Sequence, residues 1–506
     1  MKNNFVFDIL ENEHWWCGVI DLSFQQPYDI NSKVKFDMIN EPTCNQLNPV
    51  FVSDKGRWAY LDKLGTFEFV DGKLILESDG EIAHGEEKSL RDAQLYVCKN
   101  FFPPDGKTPD LVTFTSPQYC TWMELLYGQN QEEIVKYAKR LIKDGMPAGE
   151  FIIDDGWEEY YGHWDFNLRK FPNAKKMCKT LKKLGFKVVL WIVPYVSADS
   201  DVYRELLSKG LLVKNPDGTP HLAPWWNGYS AMLDFTNPET TKWFNKQYEY
   251  LRDTYGIEGL KMDGGDARFD PKGLSGLNPA PSYVHSELWG AYGDNYGMIK
   301  ELRACVKNGG KSIIQRISDR RHSWDRLNGL NGLIDRMILQ GMSGYFYSCP
   351  DMVGGGLITD FEENTVMHDE LYIRFTEACA MMPMWQYSMM FWKKSEKLTR
   401  VVKKMTALHT MIAPYLEELA INASKTGEPI MRSICYQFNE RPDIIDEFMI
   451  GDKYLVAPIL TENTDKRTVY LPTGRWQFAL TGEIFEGACE IEVKAGLEDL
   501  PYFVKV

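Results

Sequence analysis

Apolar and polar positions alternate with a period of two within the first hundred residues, and helical spacing of three and four enters after about residue 110. Phe67-Glu-Phe-Val-Asp-Gly-Lys-Leu-Ile-Leu alternates on both sides of Asp71-Gly72. That dipeptide suits a two-residue hairpin loop, in which both central residues need positive φ. The chain up to about residue 105 therefore reads as β, and Phe102-Phe-Pro-Pro-Asp-Gly reads as a linker.

From about residue 110 short apolar runs alternate with helical patterns. The runs are Leu111–Phe114, Phe151–Ile153, Lys187–Ile192, Gly259–Met262, Ser312–Ile317 and Gly344–Tyr347. Among the helical patterns, Ile134, Ala138, Leu141 and Ile142 share one face of a segment opened by Asn130 and two Glu. Strands alternating with helices predict a parallel sheet with helical crossovers. Six or more such units over roughly 300 residues favour a (β/α)8 TIM barrel over an open sheet. After about residue 425 the pattern returns to β in Ile430–Tyr436, Tyr454–Pro458, Arg467–Leu471, Trp476–Leu480 and Phe485–Val493. A small C-terminal β-sandwich fits these runs and their turns. The expected organisation is an N-terminal β-rich domain over 1–108, a catalytic barrel over 109–425 and a C-terminal β-sandwich domain over 426–506.

Composition narrows the function. The 506 residues carry 71 acidic and 57 basic side chains, a net charge of −14. Such a balance argues against a protein that tracks a nucleic-acid backbone. The longest strongly apolar stretch, Val188 to Ile192, is far short of the roughly 20 residues that span a bilayer, so no membrane partner is expected. The N-terminus shows no charged segment followed by an apolar run, hence no signal peptide. Ten Cys stand at wide intervals without metal-ligand spacing, as expected of reduced thiols in a cytoplasmic protein with no metal. No GxGxxG or P-loop follows a predicted strand, so no cofactor is expected. Association into a homo-oligomer stays open.

A barrel enzyme carries its chemistry at the C-terminal ends of its strands. The predicted strands end in Asp154-Asp155-Gly-Trp157, in Trp191, in Asp263, near Asp319 and in Asp351. One such Asp is most simply a helix cap or loop residue. Several converging on one mouth cost electrostatic energy and call for cations, protonation or a hydroxyl-rich substrate. With no His at ligand spacing, carboxylate-pair chemistry is left, and glycoside hydrolysis leads. Lys261, two before Asp263, points to the same strand face and would hydrogen-bond a sugar hydroxyl or pair with an acid. Arg316 would bind the hydroxyl next to the reacting carbon or balance charge. Trp191, Trp226 and Trp324 are candidate sugar platforms. Asp351 would hold a hydroxyl or order Gly354–Gly356.

Gly259-Leu-Lys-Met-Asp263-Gly-Gly-Asp266 resembles the nucleophile strand of glycoside hydrolase family 31. Arg316-Ile-Ser-Asp319-Arg-Arg-His-Ser-Trp324 is similar to that family's acid/base segment, with a Trp five residues after the Asp. Gly341-Met-Ser-Gly-Tyr, Pro350-Asp351-Met-Val-Gly-Gly, Met382-Pro-Met-Trp-Gln-Tyr-Ser388 and Leu455-Val-Ala-Pro-Ile-Leu460 continue the likeness, which covers roughly residues 110 to 480. The sequence departs from it at Asp266, where the family usually has Glu, and in an N-terminal β region about half the usual size.

The resemblance implies a retaining, exo-acting α-glycosidase without metal or cofactor, Asp263 being the nucleophile and Asp319 the acid/base. Asp325 and Asp266 are the rivals for the second role. The acid/base loop resembles a branch associated with α-galactosidase activity, and Asp154-Asp155-Gly-Trp157 is similar to the paired-Asp turn of α-galactosidases in families 27 and 36. There the two carboxylates hold O4 and O6 of galactose. The alternatives are an α-glucosidase, α-xylosidase or sulfoquinovosidase on the same machinery, or a non-catalytic carbohydrate-binding relative.

Overall fold

A computed structural model describes residues 2–41, 43–273, 275–294, 296–361 and 368–506. At its centre eight parallel strands form a barrel: β1 (Gln118–Cys120), β2 (Glu150–Ile153), β3 (Lys187–Ile192), β4 (Gly259–Met262), β5 (Ile299–Leu302), β6 (Ile314–Arg316), β7 (Ser348–Cys349) and β8 (Gln386–Tyr387). They neighbour one another in chain order, with β8 beside β1. The ring closes between β7 and β8 through the Met352–Gln386 bridge, where Val353 N donates to Gln386 O at 2.8 Å.

The helices follow from local chemistry. In the helix Gln131–Lys143 the Asn130 side chain accepts from the N–H groups of Glu132 and Glu133, a cap worth about 1 kcal/mol. Ile134, Ala138 and Leu141 are buried under it. Ile142, expected on that face, is exposed, because a fourth apolar residue one step round the helix leaves the core-facing stripe.

Before the barrel lie two four-stranded antiparallel sheets. The hairpin at Asp71-Gly72 forms as the pattern predicts, with φ of 49° and 71° at the two turn residues and Phe67, Phe69, Leu74 and Leu76 turned into one core. After the barrel, a six-stranded sheet faces the two-stranded pair Lys466–Leu471 and Cys489–Lys494 across Val469, Leu471, Trp476 and Phe503. Arg374, on the barrel helix Asp369–Cys379, fastens this sandwich by donating to Thr464 O at 2.8 Å.

Several expected elements differ. The N-terminal β region contains a helix, Leu90–Phe101, capped by Ser89. Leu111–Phe114 is not a strand but leads into the helical turn Val112–Thr115, and the first barrel strand is Gln118–Cys120. Gly344–Tyr347 precedes β7 rather than forming it. Ile430–Tyr436 holds only the strand Met431–Arg432, after which Ser433 caps a short helix. Phe485–Val493 divides into two strands at Gly487-Ala488, where Ala488 has φ 60°.

The barrel interior explains why β1, β5 and β8 do not read as apolar runs. Gln118 Nε2 donates to Glu150 at 3.0 Å and to Glu301 at 3.2 Å, and Gln386 Nε2 donates to Glu301 at 3.2 Å. Aliphatic layers usually fill this space. Here a hydrogen-bonded polar layer does, and burial with the nearby Glu301 charge raises the Glu150 carboxyl far above its usual range.

Candidate active site

At the C-terminal mouth of the barrel is a cavity of about 350 Å³, lined among others by Asp154, Asp155, Trp191, Lys261, Asp263 and Asp319. Each is delivered by its strand. Asp154 and Asp155 follow β2, Trp191 lies in β3, Lys261 lies in β4 with Asp263 directly after it, and Asp319 stands three residues past β6.

Asp263 is the most heavily supported acid in the cavity. Its Oδ1 accepts from Gly264 N at 2.9 Å and from Arg303 Nε at 3.0 Å. Its Oδ2 accepts from Trp191 Nε1 at 3.2 Å and from Arg316 Nη2 at 3.3 Å. Burial opposes its ionisation, yet Arg303, Arg316, Lys261 and the Trp191 N–H outweigh burial and hold the carboxyl well below the usual range. Asp263 is thus an anion throughout the ordinary pH range. The backbone at Trp191 is fixed in turn, since Trp157 Nε1 donates to its carbonyl at 2.8 Å.

Asp319 has the opposite character. One Oδ accepts from Arg316 Nη1 at 2.8 Å, while a third of the side chain opens to the cavity. Burial and the charge of Asp351 push its pKa up to about 6 against the pull of Arg316. Two carboxyls sharing one guanidinium are thus shifted in opposite directions, an arrangement that suits one anion and one proton donor. Neither rival for the second role shares this setting. Asp325 is exposed, outside the cavity lining, and caps its own loop by accepting from Asn328 N at 2.7 Å. Asp266 is fully buried and held by both Nη atoms of Arg303, at 2.9 and 2.7 Å.

The paired acids after β2 line the same cavity. Asp154 Oδ2 accepts from Lys261 Nζ at 2.8 Å and from Cys120 Sγ at 3.0 Å. Asp155 accepts from Tyr161 OH at 3.1 Å and from Asn227 Nδ2 at 3.0 Å. Burial and the charge of Asp154 push the Asp155 pKa up to about 6. Trp226, 45% exposed, lines the mouth and covers the Arg303 guanidinium at 5.4 Å.

Three residues expected to meet a sugar lie outside the cavity lining. Arg316 spends its donors on Asp263, Asp319 and Asp351, with Nε 3.2 Å from Glu301. Its charge balances these acids, the second of the two roles that the sequence left open. Asp351 is fully buried against Arg316 and the Arg320 N–H. Trp324 packs against the core while its carbonyl accepts from Asn331.

Other residues of the site were not foreseen. Arg303 follows β5, whose Lys300-Glu301 pair hides the strand in the sequence. Cys44 lines the cavity from the N-terminal domain and gives its carbonyl to Arg303 Nη1. Asn45 Oδ1 accepts from Ser318 N at 2.6 Å, and Gln46 Nε2 donates to Arg316 O at 2.8 Å. The first domain thereby braces the segments that carry Arg303, Arg316 and Asp319.

Residues 117–419 match the glycosyl hydrolases family 31 TIM-barrel domain, and residues 427–506 match the family 31 C-terminal domain. The mouse myogenesis-regulating glycosidase is 32% identical over 423 residues, covering 81% of this chain and 58% of its own length. Alpha-glucosidase 2 of Bacillus thermoamyloliquefaciens is 29% identical over 411 residues, covering 74% of this chain and 51% of its own. The chain thus spans little more than half of each relative. Among solved structures, a Flavobacterium johnsoniae family 31 dextranase complexed with glucose superposes over the whole chain and 66% of its own, with a TM-score of 0.85 at 21% identity. That likeness concerns the fold.

Proposed function

The chain belongs to glycoside hydrolase family 31, and on that premise we propose that it is a retaining, exo-acting α-glycosidase whose substrate is a terminal α-galactoside. One observation carries the mechanism: the anionic Asp263 and the proton-bearing Asp319 line one cavity and share the Arg316 guanidinium. Asp263 attacks the anomeric carbon and forms a glycosyl ester while Asp319 protonates the departing oxygen. The charge of Asp263 contributes to the raised pKa of Asp319. Esterification removes that charge, so the pKa of Asp319 falls and the group stays ionised. In the second step it takes a proton from the water that attacks the anomeric carbon, breaking the ester and freeing the Asp263 carboxylate. No group other than Asp319 has to gain or lose a proton.

Support for galactose comes from Asp154 and Asp155. Both are nearly buried at the cavity wall, and each is already oriented by fixed donors. Adjacent carboxylates of this kind accept charge-assisted hydrogen bonds from hydroxyls on neighbouring carbons. An equatorial O4 would leave one of them poorly paired, and sites built to bind a hydroxyl reject such a partner strongly. An aryl α-galactoside is expected to be cleaved at least about a hundredfold more efficiently than the α-glucoside, roughly 2.7 kcal/mol in the transition state. The reverse ranking of kcat/KM would remove galactose and leave α-glucoside, α-xyloside or sulfoquinovoside hydrolysis by the same pair.

A further inference from the structure

Among the described residues four cations stand at this site, and three are committed. Lys261 is bound to Asp154, Arg316 to four acids, and Arg303 to Asp263, Asp266 and the Cys44 carbonyl. The fourth, Arg268, belongs to the short turn Ala267–Phe269 just after Asp266 and lines the cavity. Its guanidinium lies 4.6 Å over the Phe269 ring, and one Nη is 3.2 Å from Asp266. Asp266 is already held by both Nη atoms of Arg303. Among the described residues no acceptor meets Arg268 in hydrogen-bond geometry. A guanidinium has five N–H donors in a planar fork, so most of this fork is unspent.

Its position separates it from the sugar-binding wall. The side chains of Lys261 and Arg303 are 3% and 6% exposed, whereas that of Arg268 is 38% exposed. Trp226 lines the same cavity, with its ring 6.0 Å from the Phe269 ring that Arg268 covers. The buried wall offers the carboxylate acceptors Asp154 and Asp155, which suit hydroxyl donors. The open side offers an indole face and an unspent cation, which suit a flat group carrying an acceptor with negative charge. In an exo-acting pocket the terminal sugar fills the buried end, and the leaving group lies at the mouth.

We infer that the natural substrate carries an anionic aglycone, its carboxylate, phosphate or sulfate received by Arg268 at the mouth that Trp226 lines. The inference presupposes the glycosidase proposed above. Arg268 is then a specificity-determining residue acting on the leaving group, outside the bond-making steps.

Two aryl α-galactosides test it, one neutral and one bearing a ring carboxylate, each assayed with wild type and Arg268→Gln. Comparing the carboxylate-to-neutral ratio of kcat/KM between the proteins cancels the intrinsic reactivity of the two leaving groups. The ratio is expected to fall about tenfold or more in Arg268→Gln, mainly through KM, and to fall in wild type as salt is raised. An unchanged ratio, with the neutral galactoside still cleaved by wild type, overturns the anionic aglycone and leaves the glycosidase standing. Failure of wild type to cleave either galactoside overturns both.

Discussion

Arg316 Nη1 lies 2.8 Å from Asp319 Oδ1, so the carboxyl proposed as proton donor is tied to a fixed cation. The same guanidinium reaches Asp263 through Nη2. Arg316 lowers the pKa of both acids. Arg316→Gln should therefore raise both, move the basic limb of the kcat/KM profile to higher pH and reduce kcat about a hundredfold or more, since a charge preorganised toward the reacting carboxyls is lost. A basic limb that moves down, or stays, would place the control of Asp319 elsewhere.

The wild-type profile should itself fall as pH rises through about 6. Asp319 must be protonated in the first step, and its pKa is raised to about 6 by burial and Asp351. Asp155 is raised to a similar value, and since its carboxylate is the form proposed to accept from the sugar, its ionisation should raise activity over the same range, opposite in sign to Asp319. The two are separable with an activated leaving group that needs little protonation. In Asp319→Asn the falling limb of the first step should then flatten, and a rising limb near pH 6 that remains belongs to Asp155.

Asp263→Asn should abolish turnover of every glycoside. Asp319→Asn should abolish it for alkyl glycosides, yet form a glycosyl-enzyme from an activated aryl glycoside that azide then releases. Near-normal cleavage of a disaccharide by Asp319→Asn would move the acid/base role to another carboxyl in the cavity.

Lys261 and Asp154 form a pair whose side chains are 3% and 5% exposed. Lys261→Met leaves Asp154 a buried acid without its cation, a change that typically costs about 3–5 kcal/mol. Denaturation should show that loss, and the double variant Lys261→Met with Asp154→Leu should recover part of it. No recovery would mean that Lys261 stabilises the barrel through contacts other than Asp154.

What could be read from the chain depended on where its polar residues go. β3 and β4 were legible because Lys187–Ile192 and Gly259–Met262 are apolar runs with turn signals beside them. Asp263 was legible because it ends such a run. β5 was not, because Lys300 and Glu301 are buried in the barrel and mimic a solvated segment; with the strand went Arg303. β1 and β8 were hidden likewise by Gln118 and Gln386. Cys44, Asn45 and Gln46 reach the site only through packing between domains, and no local pattern marks them. Arg316 and Asp351 were found as site residues, but geometry alone shows that they serve other side chains. The Phe-rich hairpin at Asp71-Gly72 needed only local chemistry and was fully legible.

A slow, fluorinated α-galactosyl substrate with a reactive leaving group should arrest the enzyme after the first step, because fluorine destabilises the oxocarbenium-like transition state of hydrolysis. Peptide mass spectrometry of the arrested protein should then find one fluorohexosyl unit esterified to Asp263, with activity recovering as the ester turns over. An unlabelled protein that still releases the leaving group, or a label on any other carboxylate, would contradict a retaining mechanism through Asp263.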